Sequence, residues 1–470
     1  MIGRVGFGVI LAGALAAVLG WPALATIIDA VRGEASPGGG LLTPIGGGAM
    51  IRPWGLAAET IRLVVATEAM AMPIGVVLAF LLFRTDMPGR KFWPAMLALM
   101  ACVPMPLQAT GWLGGFGNLG RTQAIGSEPI LVGRFAAAFV HAVAALPWVV
   151  WIVGIGLRAV EPELEESASL DLSPWRVASR VTLRRSLGAI AGAALAVAVL
   201  TAGDMTVTDL LSIRTYAEEA YLQYAIGNGP GAASAVALPP LIVLGTLIVV
   251  GARWLLRSDP ARIVSNSGHA RTFSLGRGRW VMAIVVSIVL GAMLGLPLYS
   301  LVWRAGRVSG DAGLGVAPQW SVRGLAGTLR ASFFEVIGRW PSGPWPSGVV
   351  GTVREFAWRL FGRWLPHSPM ASSVLWASVG ALGSVVLAWC LAWACRRPGP
   401  WRWTTAIAAA LALATPGPVA GMAMVLAYRD VPGLYGTPPI LALTYVMRTW
   451  PYALLILWPA VRAVPVGAKG

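Results

Sequence analysis

The sequence predicts an all-α polytopic membrane protein, and its composition carries this prediction. Hydrophobic residues make up 57% of the 470 residues, and charged residues make up only 12%. The mean hydropathy is +0.71. Average soluble domains carry about twice this share of charged residues, because a soluble surface has to be polar. This length and composition exclude a soluble enzyme.

Ten apolar stretches are long enough to cross a bilayer, which takes about 20 mostly apolar residues in a helix. The first stretch follows Arg4 and is longer than the apolar region of a typical signal peptide, so we expect a retained anchor. The stretch at 187–203 is the shortest. The predicted spans are 5–28, 61–83, 92–114, 131–157, 187–203, 232–256, 280–303, 370–395, 403–427 and 437–461.

The net charge of +16 follows from where the basic residues lie between these spans. If the N-terminus is cytoplasmic, 19 of the 36 Lys and Arg residues lie in cytoplasmic segments, and five lie in the short external loops. Eight more lie in the long external loop 304–369. Loops beyond about 60 residues largely escape the positive-inside rule. The bias predicts a cytoplasmic N-terminus and explains the basic charge without nucleic acid.

The sequence predicts neither a disulfide framework nor a metal site. The cysteines lie in or beside apolar runs, and the histidines are scattered along the chain. A membrane-embedded enzyme therefore has little support, and we expect no cofactor or metal on this chain. The residues concerned are Cys102, Cys390, Cys395, His141, His269 and His367.

An internal repeat is present. Pro147 and Pro451 are each followed, eleven residues later, by an Arg-Ala-Val triplet. Three such matches in the same order predict two copies of one membrane module. An even number of spans separates the copies, so we expect a pseudo-twofold axis along the membrane normal. The other two matches pair 78–90 with 387–399 and 103–112 with 415–424.

These matches set the predicted domain organisation. A first module covers 1–257, a basic linker covers 258–279, and a second module covers 280–470. The second copy has no counterpart of the part of the first module that follows its fourth span. We therefore expect the second module to be incomplete and the natural reading frame to continue past Gly470. The long loop 304–369 is interpreted as a spacer, with docking of a binding protein as the alternative.

The most informative segment is 161–186. Five carboxylates fall within its first eleven residues, and its other end is basic. Leu164, Ala168 and Leu172 form one apolar stripe on a short acidic helix. Ser173-Pro174 has the character of an N-cap with proline at the first helical position, which begins a second short helix. A solvated connection is the alternative, but an apolar stripe on an exposed helix needs a partner to cover it.

The segment resembles the EAA loop of the membrane permease subunits of binding-protein-dependent ABC importers. Glu166-Ser167-Ala168 stand at the first three positions of the family pattern, and Arg180-Val181-Thr182-Leu183 matches a phrase common in such loops. The family's glycine is absent, with Leu172 near its place, and its closing proline is Arg184. The two fused modules resemble iron(III)-type permeases, whose relatives handle thiamine, sulfate and similar solutes.

The resemblance implies a transporter subunit, not an enzyme, in the bacterial inner membrane. Its loop would dock on a separate ABC ATPase dimer, and a solute-binding protein would act outside. The chain has no G-x-x-x-x-G-K-[ST] segment, so ATP would bind the partner subunit. The substrate, iron(III) or another small solute, is not readable from the sequence. The resemblance implies that Glu165, Glu166, Ala168 and Asp171 face the ATPase and that Arg176 and Arg180 hold the loop through ion pairs or helix ends.

Two polar residues inside predicted spans are candidates for the translocation path. Glu68 is the only carboxylate well inside a span, and His141 lies in the middle of the fourth. A charge buried in lipid is costly, so such residues line a cavity or bond to a neighbouring helix. We expect Glu68 to pair with Arg62 or Arg134, which lie near the outer ends of their spans.

The segment 202–225 combines four carboxylates with three tyrosines, and such oxygen ligands suit iron. We favour an external amphipathic helix whose acidic face meets solvent or a binding protein.

A secondary, ion-coupled transporter is the alternative function, because such proteins also use internal repeats and intramembrane carboxylates. Against it, the sequence indicates only one buried carboxylate and no pair of interrupted spans with an obvious coupling-ion site, and the acidic cytoplasmic loop would have no role.

Overall fold

A computed structural model describes residues 2–32, 53–118, 120, 128–225, 229–256, 272–308, 319–334, 369–396 and 399–463. Several predictions fall outside these residues: most of the basic linker, most of the long loop 304–369 and the chain end at Gly470.

Helix dominates the described residues, which confirms the all-α class of a polytopic membrane protein. In the described part of the chain six helices are long and apolar enough to cross a membrane, and the number rises to nine if each of three bent helix pairs is one span. The remaining predicted span, 232–256, lies in a helix whose described apolar part is shorter, Val236–Gly251. The only sheet among the described residues is a two-residue antiparallel pairing of β1 (Arg307–Val308) with β2 (Gln319–Trp320).

The helices follow one another along the chain, with two π-helical turns at Ala16–Gly20 and Ala178–Thr182. In order they are α1 Ile2–Leu15, α2 Trp21–Arg32, α3 Pro53–Arg84, α4 Phe92–Ala101, α5 Met105–Phe116, α6 Gly133–Arg158, α7 Pro162–Asp171, α8 Pro174–Val177, α9 Leu183–Arg185, α10 Leu187–Ala202, α11 Thr206–Leu210, α12 Tyr216–Ala225, α13 Gly229–Leu256, α14 Gly278–Ala305, α15 Val322–Phe334, α16 Pro369–Ala394, α17 Pro400–Ala414, α18 Gly417–Tyr428 and α19 Pro439–Ala463.

The chain divides into two compact units. Unit I comprises 1–50, 220–239 and 302–461, and unit II comprises 51–219, 240–301 and 462–470. The units do not coincide with the modules drawn from the repeat, because the first 50 residues group with the C-terminal part of the chain. The modules themselves stay a prediction.

Unit II is built around α6, which is buried along most of its length against α3 and α10. Small residues let these helices approach closely. A Cβ atom on Gly75 of α3 would overlap Val149 of α6, and one on Gly154 of α6 would overlap Phe83 of α3. Close approach through glycines is typical of helix packing in membranes, where dispersion contacts replace the hydrophobic effect.

The predicted spans 92–114 and 403–427 are each a pair of helices with a sharp bend between them. The axes of α4 and α5 differ by 101°, and those of α17 and α18 differ by 111°. At each break a proline in extended conformation, Pro104 or Pro416, stands before the second helix. A proline cannot donate the backbone hydrogen bond that would continue the helix.

A polar side chain supports each break. Gln108 Nε2 donates to the Val103 carbonyl over 3.1 Å, and Arg448 Nη1 donates to the Thr415 carbonyl over 2.7 Å. Within a bilayer a carbonyl freed from its helix needs such a partner, because water is not there to supply one. The two breaks are therefore built features of the fold.

In unit I the N-terminal helical segment packs on the C-terminal helices. Leu11 of α1 shares a hydrophobic core with Met424 of α18 and with Trp450 of α19, which is fully buried. Two hydrogen bonds add to this contact: Trp21 Nε1 donates to the Ala427 carbonyl over 2.7 Å, and Tyr428 Oη donates to the Ala17 carbonyl over 2.5 Å.

The substitution Gly75→Ala tests the packing of α3 on α6. Its Cβ would lie 2.7 Å from the Cβ of Val149, so we expect overpacking to lower the free energy of unfolding by about 1–3 kcal/mol. Gly291→Ala in α14 is the matched control, because nothing lies within 4 Å of its added Cβ. Unfolding of both variants in mixed detergent, followed by circular dichroism, measures the difference, and equal stability of the two would contradict this packing.

Candidate functional site

A buried ion pair lies where α3 ends, in unit II. Arg84, the last residue of α3, donates from Nη2 to both carboxylate oxygens of Glu165 in α7, and both side chains are fully buried. Thr182 of the π-helical turn donates to Glu165 Oε1 over 2.5 Å, and Arg84 Nη1 donates to the Leu157 carbonyl over 2.9 Å. One pair therefore joins α3, α6, α7 and the π-helical turn.

Phe273 completes what we call the loop cluster, which consists of Arg84, Leu157, Glu165, Thr182 and Phe273. The backbone of Phe273 donates to the Arg84 carbonyl over 2.7 Å. Its ring centroid lies 5.6 Å from the Arg84 guanidinium carbon, within the range of a cation–π contact. The ring also packs on the buried side of α8, so the loop cluster is closed by a residue that precedes α14.

Asp86 fastens the segment that carries Phe273. Its Oδ1 accepts the Leu275 backbone N–H over 2.9 Å, and its Oδ2 accepts the Ser274 hydroxyl over 3.3 Å. The hydrogen bond from the Leu275 backbone holds the pKa of Asp86 below its usual range, since it stabilises the carboxylate form.

The outer surface of this region is polar with two large apolar side chains. Leu170 of α7 is 86% exposed and Trp175 of α8 is 74% exposed. Around them Glu166, Asp171, Arg176 and Arg180 are also exposed. The loop thus has a buried side fixed to the spanning helices and an exposed side with an unpartnered apolar pair.

Glu165 does not face outward in this structure, contrary to expectation, whereas Ala168 is half-buried and its contact with a partner stays a prediction. Glu165 is fully buried against Arg84 and Thr182, and Ala168 packs with Leu172 on the cluster of Val177, Ala178 and Phe273. The predicted apolar stripe is therefore covered largely by this chain itself, although Leu164 remains 42% exposed.

That Arg176 and Arg180 hold the loop, through ion pairs or helix ends, stays a prediction. Neither takes part in an ion pair found in the described part of the chain; instead Arg185 Nη2 lies 2.9 Å from Glu161 Oε1. Glu166 and Asp171 are exposed, which agrees with a surface position but does not test their predicted role.

His141 pairs with Asp204, a contact that the sequence reasoning missed. His141 Nε2 lies 3.2 Å from Asp204 Oδ2, and His141 Nδ1 lies 2.8 Å from the Ala137 carbonyl. Burial raises the pKa of Asp204, but the hydrogen bond and charge of His141 and the Val207 N–H outweigh it and leave the pKa below its usual range. The pair fastens the start of α11 to α6.

Among the described residues no ion pair includes Glu68. Arg62 and Arg134 both bind Glu59 instead, with N–O distances of 2.7 and 2.8 Å. Glu59 lies near the outer end of the same helix, within reach of both arginines, whereas Glu68 lies about two and a half turns further along. Glu68 is half-buried, and its role in a path stays a prediction.

The four carboxylates of 202–225 do not share one solvent-facing side: Asp209 is exposed and Asp204 is half-buried, but Glu218 and Glu219 are buried. Glu218 is 8% exposed and Glu219 is 1% exposed, and Arg214 Nη1 lies 3.6 Å from Glu219 Oε2. Burial, and after it the charge of Glu219, raises the pKa of Glu218 above its usual range. Among the described residues no group of three or more His, Cys, Asp or Glu could hold a metal ion.

Comparison with known proteins assigns no family: the sequence matches no family profile and no curated protein. The class that fold and site define is an all-α polytopic membrane protein with a fastened loop between two of its helices.

Glu165→Gln tests the loop cluster. It leaves the Arg84 guanidinium buried without a counter-charge, so we expect a loss of about 3–5 kcal/mol of unfolding free energy. Glu166→Gln is the matched control. Because Glu166 is exposed, its substitution is expected to change the free energy of unfolding by less than about 0.5 kcal/mol. The double variant Arg84→Met/Glu165→Leu is expected to recover much of the loss. A Glu165→Gln protein as stable as the control would overturn this account.

Asp86→Ala tests the fastening of Phe273 through its pH dependence. Because the folded-state pKa of Asp86 is depressed, its contribution to stability is present above the unfolded pKa of about 3.9 and lost as pH falls through the lower folded value. The melting temperatures of wild type and variant should therefore differ at neutral pH and converge in acid. Asp171→Ala serves as an exposed control, and a difference independent of pH would rule out the carboxylate as its cause.

Proposed function

We propose that this chain is the membrane permease subunit of an ABC importer and that the loop 161–186 couples it to a separate ATPase. The observation that carries the proposal is the two-sided loop. Its buried side is fixed to α3 and α6 through Arg84 and Glu165, and its exposed side presents Leu170 and Trp175. A loop that only connected two spans would need neither feature.

The loop cluster suits the transmission of force. An ATPase that moves α7 would pull on Glu165, and the ion pair would pass the displacement to Arg84 at the end of α3. The Leu157 carbonyl links the same guanidinium to α6. Rigid-body movement of packed helices is a common way to transmit a remote binding event. On this proposal Glu166 and Asp171 contact the ATPase, while Glu165 acts inside the permease.

The proposed two-module plan gains support from the two breaks. The repeat pairs 103–112 with 415–424, which places Pro104 opposite Pro416. Each proline caps a helix of 12 residues, and the carbonyl before each accepts a side-chain N–H. Equivalent breaks at matching positions favour two copies of one fold over chance similarity.

The remaining parts of the proposal follow from the resemblance. ATP binds the partner ATPase dimer, a solute-binding protein delivers the solute outside, and the chain lies in the bacterial inner membrane with its N-terminus in the cytoplasm. Iron(III) is one candidate solute among several small ones. His141 and Glu68 remain candidates for the translocation path.

An ion-coupled transporter is the second candidate, and the structure strengthens it. The sequence indicated no pair of interrupted spans with an obvious coupling-ion site, and in the structure α4–α5 and α17–α18 are interrupted at matching positions. Broken helices in corresponding places of two repeats mark the binding sites of many secondary transporters. The His141–Asp204 pair adds an ionisable contact in unit II, which also contains the α4–α5 break.

Affinity purification from native membranes distinguishes the two candidates. We expect an ABC ATPase to co-purify with the wild-type chain and to be reduced at least about tenfold by Leu170→Glu, because a charge replaces the apolar anchor of a docked surface. Mass spectrometry of the eluate gives the ratio of ATPase to permease.

Leu329→Glu is the matched control, since Leu329 is 48% exposed on α15, outside the loop, and should leave the ratio unchanged. If no ATPase accompanies even the wild type, the permease proposal fails. Solute uptake that follows a pH gradient in vesicles without ATP would then establish the ion-coupled transporter.

A further inference from the structure

A row of arginines marks one side of the helical segment Pro174–Arg185, which α8, the π-helical turn and α9 form together. Arg176, Arg180 and Arg184 follow one another at intervals of four residues, and all three are exposed. We call them the basic row. None of the ion pairs found between described residues includes a member of the row, and Trp175 beside it is 74% exposed.

The other side of the segment is fixed. Val177, Ala178 and Thr182 are buried, and Phe273 packs on the first two while Glu165 accepts the Thr182 hydroxyl. The segment is therefore an amphipathic helix held in one orientation, so its basic row is a defined surface.

The length of α10 places this surface at the level of the lipid headgroups. α10 has 16 residues and carries no charge, and at 1.5 Å per residue it is about 24 Å long. The hydrocarbon core of a bilayer is about 30 Å thick, so the residues that flank a short span are drawn to the headgroup region. Arg184 lies three residues before Leu187, the first residue of α10.

The bend between the two helices turns the basic row along the membrane surface. The segment Pro174–Arg185 makes an angle of 59° with α10. Spanning helices tilt by about 20° on average from the bilayer normal, so a helix bent this far from one runs partly along the surface. Its residues therefore stay closer to the headgroups than those of a straight extension would.

We propose that the basic row, with Trp175, is a binding site for the phosphate groups of anionic phospholipids. Guanidinium groups bind phosphate through paired hydrogen bonds, and tryptophan concentrates at membrane–water interfaces. The neighbouring Arg185 is already paired with Glu161 and is not part of the site. The site depends on the membrane position of α10 and shares Trp175 with the exposed side of the loop proposed above to contact an ATPase, so it is tested on this chain alone, without an ATPase.

Photo-crosslinking tests the site on the full chain. The protein is placed in phosphatidylcholine nanodiscs that contain a diazirine-labelled phosphatidylglycerol, and crosslinked peptides are mapped by mass spectrometry. We expect labelling of the peptide that contains 174–187. The variant Arg176→Gln/Arg180→Gln/Arg184→Gln should need about tenfold or more probe for half-maximal labelling, since each basic residue near an anionic surface contributes about fivefold.

Two matched variants define the result. Arg304→Gln/Arg323→Gln/Arg330→Gln removes the same charge from exposed positions elsewhere and should leave labelling of 174–187 unchanged. Arg176→Lys/Arg180→Lys/Arg184→Lys keeps the charge and should retain most of the labelling, which also shows that loss in the glutamine variant is not misfolding.

Several outcomes would overturn the proposal. Equal labelling by a diazirine phosphatidylcholine would show no preference for anionic headgroups, and unchanged labelling of the glutamine variant would exclude the arginines. Displacement of the probe by inorganic phosphate would identify a site for a soluble anion instead. Crosslinking of 174–187 to a protein in native membranes, without lipid labelling, would assign the surface to that protein.

Discussion

The buried pair of Arg84 and Glu165 is the constraint on which the loop region of unit II depends. Both side chains are fully enclosed, so each needs the other to offset the loss of water. Their partners are fixed as a consequence: Thr182 positions the π-helical turn, and the Leu157 carbonyl positions the end of α6. Phe273 then covers the Arg84 guanidinium. Five segments therefore meet at this one charge: α3, α6, α7, the π-helical turn and the segment before α14.

The composition was enough to predict the fold class, because an apolar fraction this high leaves few alternatives. The breaks at Pro104 and Pro416 were not predicted as bends, although the repeat containing them was recognised. Hydropathy averages over about 20 residues and does not register a local change of direction. What forces the bend is an extended residue before each new helix, together with a side chain that caps the freed carbonyl.

The site was predictable in location but not in detail. The acidic loop stood out from its sequence, yet Glu165 and Glu166 are neighbours with opposite surroundings, one enclosed and the other exposed. What distinguishes Glu165 from Glu166 is its pairing with Arg84, and Arg84 lies 81 residues earlier in the chain. His141 was noticed as an intramembrane polar residue, but its partner Asp204 lies beyond the end of α10, where no periodicity points back to it. Phe273 carries no sequence signal at all.

The residues of the loop cluster are synthesised at different times, which sets the order in which they can meet. Arg84 leaves the ribosome 81 residues before Glu165, which at about 5–20 residues per second is a delay of roughly 4–16 seconds. Phe273 follows later still. During that interval the guanidinium at the end of α3 does not yet have Glu165 as its partner and has to stay in water or among headgroups. The end of α3 is therefore expected to stay at the membrane surface until α7 arrives, and the loop cluster can close only after Phe273 has been synthesised.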